Sequence, residues 1–380
     1  MKKLLFVINV DWYFCLHWLA RAKAAQNEGF EIHLATQNTK SKQIQELENL
    51  GFKIHAIELS RKSMSLTNNI KTFWQLFTLI RVLKPDLVHS ITVKPNLFVG
   101  LICKYLSIPQ VMSVTGLGIT FSSRTIKARI SRGIVTTLYR FIAKRKSKYK
   151  ILFENKDDRT RFLSENIGTE KNLQVIAGAG VNLSEYLYTP KQIKQEKEII
   201  KILFAARMLW SKGLEQLISA VGLVRNNGVA LELNVAGIID TDSCDAIPLD
   251  KINQWASSNT INWLGQVSDM VTLIQDADII CLPTQYGEGV PRILIEAAAI
   301  GRPIITTNVA GCRDIVENNK SGFIVPINDS NAIAEKINIL MHDDKMRYDF
   351  GLEARIITEK TFCQNIVIKS TLDIYKELLS

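Results

Sequence analysis

The chain has 380 residues, of which 47% are hydrophobic and 22% are charged, with a formal net charge of +10. This length exceeds what one hydrophobic core usually serves, so two domains are expected, and the composition excludes a disordered or fibrous protein. No apolar run reaches the roughly 20 residues that cross a bilayer, so no spanning helix is predicted.

Charge is distributed unevenly along the chain. Residues 1–190 contain 28 Lys and Arg against 13 Asp and Glu, whereas residues 191–380 contain 19 against 24. The first half is therefore expected to face an anionic partner. That partner is not expected to be a nucleic acid, because the chain has no recognised binding motif and its basic residues are not interleaved with stacking aromatics.

The first predicted element is a buried strand, KLLFVINV. A secretion signal is the alternative, but Asn9 and Asp11 interrupt the apolar patch and no clean cleavage site follows. Asp11 lies at the carboxyl end of this strand, where it is a candidate contact for a ligand hydroxyl or, equally, a helix-capping residue. The six cysteines lack C-x-x-C spacing, which predicts free thiols in a reducing cytosol.

Short β-branched runs alternate with longer amphipathic segments along nearly the whole chain. The first series is LLFVINV, EIHLATQ, FKIHAIEL, DLVHSIT, PQVMSVT, KILFEN and LQVIAGAGV, and the second is KILFAAR, LELNVAG, TINWLGQ, ADIICLPT, RPIITTNV and GFIVP. Apolar strands with helical connections are typical of parallel sheets covered on both faces. The sequence therefore predicts an α/β fold with two doubly wound parallel-sheet domains.

The polar segment Tyr188–Ile200, YTPKQIKQEKEII, separates the two series and predicts an interdomain linker. The predicted domains are residues 1–188 and residues 189–360. Ligands of open α/β sheets bind at the carboxyl ends of the strands, so a cleft between the two domains is the expected site.

The segment Arg124–Lys150 contains ten basic residues and no acidic one. One apolar stripe recurs every four residues within it, at Ile126, Ile130, Ile134, Leu138 and Ile142. A basic amphipathic helix of this kind can lie on an anionic membrane surface. The alternative is that the stripe packs on its own domain while the cations are solvated.

The second domain opens with KILFAARMLWSKGLEQLISA. Arg207 ends its first strand, and Lys212 lies at the entry to the next helix. Two cations at the carboxyl end of a strand fit a diphosphate clamp, although solvated loop cations are the alternative.

A further polar motif is YGEGVPRILIEAA, at Tyr286–Ala298. Pro291 suits the first position of a helix, and Gly301 suits its end. A helix start beside glycines can bind phosphate, and Glu288 and Glu296 can accept hydrogen bonds from ligand hydroxyls there.

Both glutamates have a structural alternative. Glu296 follows Arg292 by four residues, which is the spacing of an intrahelical ion pair. Glu288 can be an exposed turn residue.

These motifs resemble the donor domain of the family-4 glycosyltransferases, retaining enzymes of the GT-B fold. The resemblance rests on Arg207 with Lys212 and on the stretch from INWLGQ to GFIVP, in which Glu288 and Glu296 match the glutamate–seven residues–glutamate pattern. VINVDWYFCLH, VHSITVKPNLFVG, SVTGLGITF and FENKDDRTRFL are similar to the branch that builds bacterial O-antigens and capsules on a lipid carrier. The resemblance implies two Rossmann-like domains facing across a cleft, with a C-terminal helix at about 361–380 returning to the first domain.

The resemblance also implies roles for individual residues. The implied donor-binding set is Arg207 and Lys212 on the diphosphate, Glu296 on the ribose, Glu288 with the backbone of Gly289 and Val290 at the transferred sugar, and a base-contacting loop from Leu264 to Val267. Arg207, Lys212 and Glu288 are the implied catalytic residues, since stabilising the leaving group matters more than a strong base. No general base is assigned.

Two departures from the family pattern affect the first domain. NVDWYF stands where many members carry a glycine pair, and His89-Ser90-Ile91 stands where many carry His-x-His. Thr92 or Lys94 is expected to replace the missing contact, and His89 is interpreted as structural. The candidate acceptor-binding residues are Asp11, Thr92, Lys94, Thr115 and Gly116.

The implied function is retaining transfer of a hexosyl or N-acetylhexosaminyl group from a nucleotide sugar, most simply a UDP-sugar. The implied acceptor is an undecaprenyl-diphosphate-linked glycan, and the product an alpha linkage in O-antigen or capsule synthesis. No cofactor and no metal are expected, and the expected location is cytoplasmic, peripheral on the inner face of the bacterial plasma membrane. The alternatives are a hydrolysing nucleotide-sugar epimerase of the same fold and a non-catalytic nucleotide-sugar-binding subunit.

Overall fold

The computed structural model describes residues 1–37, 41–59, 66–118, 121, 125–191, 199–241 and 243–380. The chain divides into two compact units: unit 1 is Met1–Ala179 with Asn365–Ser380, and unit 2 is Gly180–Gln364. Among the described residues, no helix combines the length and the apolar character that crossing a bilayer requires.

Unit 1 is built on a parallel sheet of seven strands in the order β3-β2-β1-β4-β5-β6-β7. Its strands are β1 (Lys2–Val7), β2 (Phe30–Thr36), β3 (Lys53–Ala56), β4 (Leu87–Ile91), β5 (Gln110–Val114), β6 (Tyr149–Phe153) and β7 (Leu173–Val175). Its helices are α1 (Asp11–His17), α2 (Leu19–Asn27), α3 (Lys42–Asn49), α4 (Leu66–Leu83), α5 (Val93–Leu106), α6 (Ile126–Ala143), α7 (Lys156–Ser164) and, from the C-terminus, α15 (Gln364–Leu379). The strand order reverses between β1 and β4, which is where ligands of such sheets bind.

β1 shows why this sheet is covered on both faces. Leu4, Phe6 and Ile8 belong to one core cluster, and Leu5 and Val7 belong to a cluster on the other face. All five are fully buried. The continuous apolar run therefore folds as a central parallel strand, as predicted.

Unit 2 is built on a parallel sheet of six strands in the order β10-β9-β8-β11-β12-β13. Its strands are β8 (Ile200–Ala205), β9 (Leu231–Ala236), β10 (Asn262–Gly265), β11 (Ile279–Leu282), β12 (Ile304–Thr307) and β13 (Gly322–Val325). Its helices are α8 (Leu214–Asn226), α9 (Leu249–Ser257), α10 (Met270–Asp276), α11 (Arg292–Ile300), α12 (Cys312–Ile315), α13 (Ser330–His342) and α14 (Asp344–Ile357), with a 3-10 turn at Trp210–Lys212 and a π-helical turn at Thr358–Phe362. The two parallel sheets confirm the predicted fold class, with the strand order of unit 2 reversing between β8 and β11.

The boundaries of the units differ from the predicted ones. Residues 180–188 belong to unit 2, because the backbone N–H of Val181 donates to the carbonyl of Phe362 at 2.9 Å. The N–H of Gln364 donates back to the carbonyl of Val181 at 2.9 Å, which places residues 361–364 in unit 2 as well. Backbone hydrogen bonds between residues that are distant in sequence set these boundaries. Local composition does not indicate such hydrogen bonds.

The C-terminal helix α15 packs on unit 1, as the resemblance implies. Val367, Ile374, Tyr375 and Leu378 belong to the core cluster that also contains Phe6 of β1. Burial of these apolar side chains against β1 and its neighbours holds α15 in place.

The basic segment 124–150 forms a shorter helix than predicted. α6 covers Ile126–Ala143, and Arg124 lies outside the described residues. Lys150 belongs to β6, where it is buried and pairs with Glu377 at 2.8 Å. The end of the segment is therefore part of the sheet and is not available to a membrane.

The apolar stripe of α6 is divided between core and solvent. Ile142 is fully buried, and Leu138 packs against the same cluster. In contrast, Ile126, Ile130 and Ile134 are 72%, 59% and 57% exposed. Packing on its own domain, which was the alternative, therefore accounts only for the C-terminal part of the stripe.

Candidate active site

Lys212 is fixed at the carboxyl end of β8. The chain passes Arg207 after the strand and enters the 3-10 turn that ends at Lys212. Gly213 follows with a φ of 80°, and a Cβ at this position would lie 2.1 Å from the carbonyl oxygen of Pro283. Only glycine fits this close approach, so Gly213 sets where Lys212 stands ahead of α8.

A buried ion pair joins the two predicted motifs. The ammonium of Lys212 contacts Oε2 of Glu288, and the Thr284 hydroxyl donates to Oε1 of Glu288 at 2.8 Å. The side chains of Lys212 and Glu288 are only 8% and 16% exposed. A carboxylate can be buried among apolar residues when a cation and a hydroxyl satisfy it, so the alternative of an exposed turn glutamate is wrong.

The turn that carries Glu288 packs closely against the turn before α12. A Cβ on Gly311, whose φ is 80°, would lie 1.5 Å from the carbonyl oxygen of Gly289. The N–H of Glu288 donates to the carbonyl of Ala310 at 3.3 Å. Contact between the two backbones fixes the Glu288–Gly289–Val290 turn. A side chain at position 311 would force the two backbones apart, so glycine is required there.

α11 begins one residue later than predicted. Pro291 has an extended ψ of 123° and is the N-cap, so the helix starts at Arg292. It ends at Ile300, followed by Gly301 with a φ of 87°, as the stop signal predicts. Val290 and Pro291 thus lead directly into the first turn of α11.

Glu296 is buried about one turn into α11 and accepts two hydrogen bonds at one oxygen. Arg292 Nε donates to Oε1 at 2.6 Å, and the Tyr186 hydroxyl donates to the same Oε1 at 2.9 Å. The predicted ion pair with Arg292 is therefore present. Because both donors meet Oε1, the arrangement leaves Oε2 as the oxygen that a ligand hydroxyl can reach.

Arg207 forms an ion pair with an acid that the sequence analysis did not single out. Its Nη1 donates to Oδ2 of Asp240 at 2.7 Å, and the two side chains are 34% and 12% exposed. A guanidinium has five donors, so Arg207 can hold Asp240 and an anionic ligand together.

Asp240 also belongs to an acidic run that bears on the expectation about metals. Asp240-Thr241-Asp242 is an Asp-x-Asp run, a pattern that can bind a divalent cation, and Asp242 lies outside the described residues. Among the described residues, no group of three His, Cys, Asp or Glu side chains is placed to hold a metal ion.

Leu264 and Val267 lie apart from the charged residues within unit 2. Leu264 is in β10, the edge strand, and Val267 follows it. Gly265 has a φ of 64°, and its carbonyl accepts from the N–H of Gly237 at 2.8 Å, which ties this loop to the end of β9. The loop is at the same carboxyl edge as Lys212, separated from β8 by β9.

The candidate acceptor residues follow three neighbouring strands of unit 1, namely β1, β4 and β5. Asp11 is the first residue of α1 and is buried, with its Oδ1 accepting from the N–H of Trp12 at 2.8 Å and its Oδ2 from the Ser41 hydroxyl. Thr115 and Gly116 follow β5, and Gly116 has a φ of 103°. These residues therefore share one edge of the sheet.

Thr92 has a strained backbone, and its hydroxyl has no partner in the part of the chain that the structure describes. Its φ of 74° is rare for a β-branched residue, and its side chain does not cap α5. Oγ1 of Thr92 and Oδ1 of Asn9, which follows β1, are buried without a hydrogen-bond partner among the described residues. Burial lowers the pKa of the neighbouring Lys94. Strain with unsatisfied polar atoms at a carboxyl edge is typical of ligand-binding residues.

His89 has a structural role, which confirms its interpretation. It is fully buried, with Nδ1 2.6 Å from the Tyr375 hydroxyl and Nε2 2.8 Å from the Ser113 hydroxyl. Burial holds its pKa well below the usual value, so the ring is neutral.

Three residues of the site were missed by the sequence analysis. Tyr186 lies 110 positions before Glu296, and no sequence signal links the two. Asp240 had a signal, because it opens an acidic run four residues after the apolar strand β9 ends. Thr284 lies at the end of a predicted strand, and only its contact with Glu288 distinguishes it.

Two family models match the chain. Residues 188–356 match the one described as Glycosyl transferases group 1, and residues 3–149 match the one described as Glycosyl transferase 4-like. With the two doubly wound sheets, these matches define a glycosyltransferase of the GT-B fold. The two models together span most of the sequence, and the chain belongs to the family-4 glycosyltransferases.

Relatives and solved structures agree with this assignment. The chain is 28% identical to the N,N'-diacetylbacillosaminyl-diphospho-undecaprenol alpha-1,3-N-acetylgalactosaminyltransferase of Campylobacter jejuni, with 88% of each chain covered. It is 24% identical to the capsular polysaccharide biosynthesis glycosyltransferase CapM of Staphylococcus aureus, covering 93% of this chain and 92% of CapM. Anabaena HepE in complex with UDP-glucose shares the fold with a TM-score of 0.78 at 15% identity, covering 99% of this chain and all of HepE.

Proposed function

We propose that this glycosyltransferase moves a hexosyl or N-acetylhexosaminyl group from a UDP-sugar to an undecaprenyl-diphosphate-linked glycan. The reaction retains the anomeric configuration, gives an alpha linkage and serves bacterial O-antigen or capsule synthesis. One observation carries the proposal: Lys212 contacts Glu288 in unit 2, and Arg207 and Glu296 follow the same two neighbouring strands, β8 and β11.

The charges of this cluster suit a nucleotide diphosphate. Arg207 and Lys212 bind the diphosphate and stabilise the charge that develops on it as the glycosidic bond breaks. Glu296 accepts hydrogen bonds from the ribose hydroxyls through its second oxygen. Glu288, with the backbone of Gly289 and Val290, orients the transferred sugar.

The ion pair between Lys212 and Glu288 has a consequence for donor binding. An arriving diphosphate competes with Glu288 for the ammonium, which releases one carboxylate oxygen towards the sugar. Thr284 remains on the other oxygen and keeps the carboxylate in place. The ion pair therefore keeps the ammonium of Lys212 and the carboxylate of Glu288 in position within a largely buried site until the donor diphosphate replaces the contact between them.

Known relatives support the choice of substrates. HepE has been solved with UDP-glucose, and the Campylobacter jejuni relative is named for a diphospho-undecaprenol acceptor and an alpha-1,3 linkage. CapM is named for capsular polysaccharide biosynthesis.

The transfer is proposed to proceed without a metal, because Arg207 and Lys212 can supply the positive charge at the diphosphate. The Asp-x-Asp run at 240–242 makes this proposal testable. Transfer that persists in EDTA supports it, whereas transfer that requires added Mg²⁺ or Mn²⁺ assigns a metal to that run.

The acceptor is proposed to bind unit 1 at the edge formed by Asp11, Thr92, Lys94, Thr115 and Gly116. Oγ1 of Thr92 and Oδ1 of Asn9, which have no hydrogen-bond partner within the described part of the chain, offer acceptors for sugar hydroxyls. Lys94 adds a positive charge beside them.

The lipid carrier is proposed to be reached by peripheral attachment to the inner face of the plasma membrane. α6 exposes Ile126, Ile130 and Ile134, with Lys127 and Arg129 beside them. Apolar side chains among cations match the headgroup region of an anionic bilayer.

The deciding experiment is mass spectrometry of reactions that contain the purified protein, a panel of nucleotide sugars and short-chain lipid-diphosphate glycans. Extension of the acceptor with one donor is the expected result. Glu288→Gln should abolish extension, while Glu317→Gln, at an exposed ion pair on the surface of unit 2, should leave it unchanged. Conversion of the nucleotide sugar without extension would instead identify a hydrolysing epimerase, and binding without conversion a non-catalytic subunit.

A further inference from the structure

Exposed apolar side chains in unit 1 concentrate on three consecutive helices. Of the eleven large hydrophobic side chains that are exposed in the described part of this unit, eight lie on α4, α5 and α6. They are Ile70, Trp74, Val82, Tyr105, Ile126, Ile130, Ile134 and Phe141. Such a concentration differs from the scattered single exposures of an ordinary protein surface and indicates an interaction site.

The helices α4, α5 and α6 form one layer over the sheet of unit 1. Side chains of α4 and α5 share a core cluster with Leu5 and Val7 of β1, and side chains of α5 and α6 share a second cluster. A Cβ on Gly100 of α5 would lie 2.8 Å from Cδ1 of Ile142 of α6, so these two helices pack closely. The outward sides of the three neighbouring helices therefore face the same way.

Aromatic contacts connect the exposed side chains of α4 and α5. Between ring centroids, Trp74 lies 5.6 Å from Phe77, and Phe77 lies 6.1 Å from Tyr105. The side chains of Trp74 and Tyr105 are 59% and 77% exposed. All six tryptophans of the chain lie in its described part, and only Trp74 is exposed. These rings therefore form one row that crosses from α4 to α5 at the surface.

Lys104 connects this aromatic row to α6. It precedes Tyr105 in the chain, its ammonium lies 3.7 Å from the centroid of the Phe141 ring, and it donates to the carbonyl of Lys144 at 2.7 Å. Phe141 is exposed and follows Ile134 by seven residues, which places it on the same side of α6 as the exposed isoleucines. The eight exposed side chains, with Phe77 and Lys104, thus form one surface, which we call the α4–α6 face.

The α4–α6 face is surrounded by cations and not by acids. The three helices contain eight Lys and Arg and no Asp or Glu. Five of these cations are exposed, namely Lys71, Arg81, Lys127, Arg129 and Arg140. Lys71 pairs at 2.8 Å with Glu58, which lies outside the three helices. A partner that fits this face must therefore be apolar where it meets the rings and anionic around them.

We propose that the α4–α6 face lies flat on an anionic bilayer, with Trp74 and Tyr105 at the level of the lipid headgroups. Trp and Tyr side chains combine an apolar ring with a polar edge, and they concentrate at this level of a membrane. The exposed cations match anionic headgroups. A second copy of the chain does not fit, because it would bring the same positive charge against this face.

This attachment sets the orientation of unit 1 on the membrane. Helices of one layer run along the strands that they cover, so a flat α4–α6 face holds the sheet parallel to the bilayer. The carboxyl edge with Asp11, Thr92 and Thr115 then lies about one helix diameter, roughly 10 Å, from the headgroups. A diphosphate at the headgroup level is within reach of that edge. Only the assignment of this diphosphate to the acceptor rests on the proposed function.

The test uses the fluorescence of Trp74 in the full-length protein without donor or acceptor. Vesicles of phosphatidylglycerol and phosphatidylcholine carry bromine either near the headgroups or near the ends of the acyl chains, and bromine quenches tryptophans that enter the bilayer. The other five tryptophans are buried or half-buried, so the difference between the protein and Trp74→Phe isolates the signal of Trp74. Vesicles of phosphatidylcholine alone are the control for charge.

We expect quenching by bromine near the headgroups, weaker quenching by bromine near the chain ends, and loss of both in Trp74→Phe. Trp74→Ser with Tyr105→Ser should lower the partition coefficient on anionic vesicles by at least about tenfold, because two aromatic side chains leave the membrane interface. Leu223→Ser with Leu249→Ser, at two exposed residues of unit 2, should leave the partition coefficient unchanged. Thermal midpoints show whether each variant is folded, and the quenching experiment decides if the double variant is not.

The proposal is overturned if the protein binds brominated anionic vesicles without quenching of Trp74, since α6 alone would then make the contact. Equal partition onto phosphatidylcholine vesicles overturns it as well, and so does failure to bind any vesicle. Self-association of the free protein that Trp74→Ser with Tyr105→Ser removes would assign the face to a second copy. Sugar transfer to a short-chain acceptor is measured without vesicles, so failure of this proposal and of the proposed function can be told apart.

Discussion

The hydroxyl of Tyr186 donates to Oε1 of Glu296 at 2.9 Å, although the two residues are 110 positions apart in the chain. Arg292 donates to the same oxygen. Two donors at Oε1 fix the orientation of the Glu296 carboxylate and therefore the direction in which Oε2 points. Tyr186 is thus a positioning residue for the carboxylate that we assign to the ribose.

Tyr186→Phe should weaken discrimination between ribose and deoxyribose. We expect binding of UDP to weaken by about three- to tenfold, as for one lost hydrogen bond, while binding of 2′-deoxy-UDP changes little. Calorimetric titration of both nucleotides measures the ratio. Tyr348→Phe, at a residue that is 44% exposed in the same unit, is the control. An equal loss of affinity for both nucleotides would show that Tyr186 acts only on the stability of the fold.

The pair of Lys212 and Glu288 should show strong coupling in stability. Lys212→Met removes the cation that contacts the largely buried Glu288 carboxylate, which should lower the free energy of unfolding by about 3 to 5 kcal/mol. Glu288→Gln keeps a neutral acceptor and should lower it less. In the double variant the two losses should be far from additive, which urea unfolding of all four proteins measures. Additive losses would mean that the two side chains do not interact in solution.

Asp240 should govern how well Arg207 binds the donor. Asp240→Ala frees the guanidinium to leave its position, so we expect donor KM to rise by about tenfold with a smaller change in kcat. Asp276→Ala removes a carboxylate that pairs with Lys201 at the opposite end of β8 and serves as the control. A drop in KM for Asp240→Ala would instead show that Asp240 competes with the diphosphate.

The exposed part of the α6 stripe should carry membrane attachment. Replacing Ile126, Ile130 and Ile134 together by Ser should abolish sedimentation with anionic vesicles. Leu223→Ser with Leu249→Ser, two exposed apolar residues of unit 2, is the control. Attachment of the unsubstituted protein to the vesicles should weaken as salt is added. If that protein fails to bind the vesicles at every salt concentration, the proposed membrane-binding surface is wrong.

Asp158 should give unit 1 a stability that depends on pH. Burial raises the pKa of its carboxyl group to about 6, although the Asn155 side-chain amide donates to it at 3.0 Å. Because the pKa in the folded state exceeds that in the unfolded state, protonation stabilises the fold fully below about pH 4, and this stabilisation is lost as the pH rises through about 6. Asp158→Asn should flatten the difference in thermal midpoint between pH 4 and pH 7. If the difference in thermal midpoint is the same in Asp158→Asn, another titratable group causes the pH dependence.

Apolar patterning was enough to predict the two parallel sheets. Runs such as KLLFVINV and ADIICLPT became β1 and β11, because a strand buried on both faces needs a continuous apolar segment and few other elements do. Turn chemistry likewise predicted the end of α11 at Gly301 and its start within one residue of Pro291. Helix α6 was overextended, because basic composition continues into β6 while the local pattern does not show where the sheet begins.

The sequence by itself determined which residue types follow the strands, since local patterning places Arg207, Lys212 and Glu288 close to a strand or helix end and Glu296 inside the helix after β11. Only the tertiary structure decided their partners: Glu288 with Lys212, Arg207 with Asp240, and Glu296 with Tyr186. The reason is physical. Secondary structure follows from interactions between residues a few positions apart, whereas the pairing of buried charges depends on which strands become neighbours in the sheet, and that order is set by the packing of the whole unit.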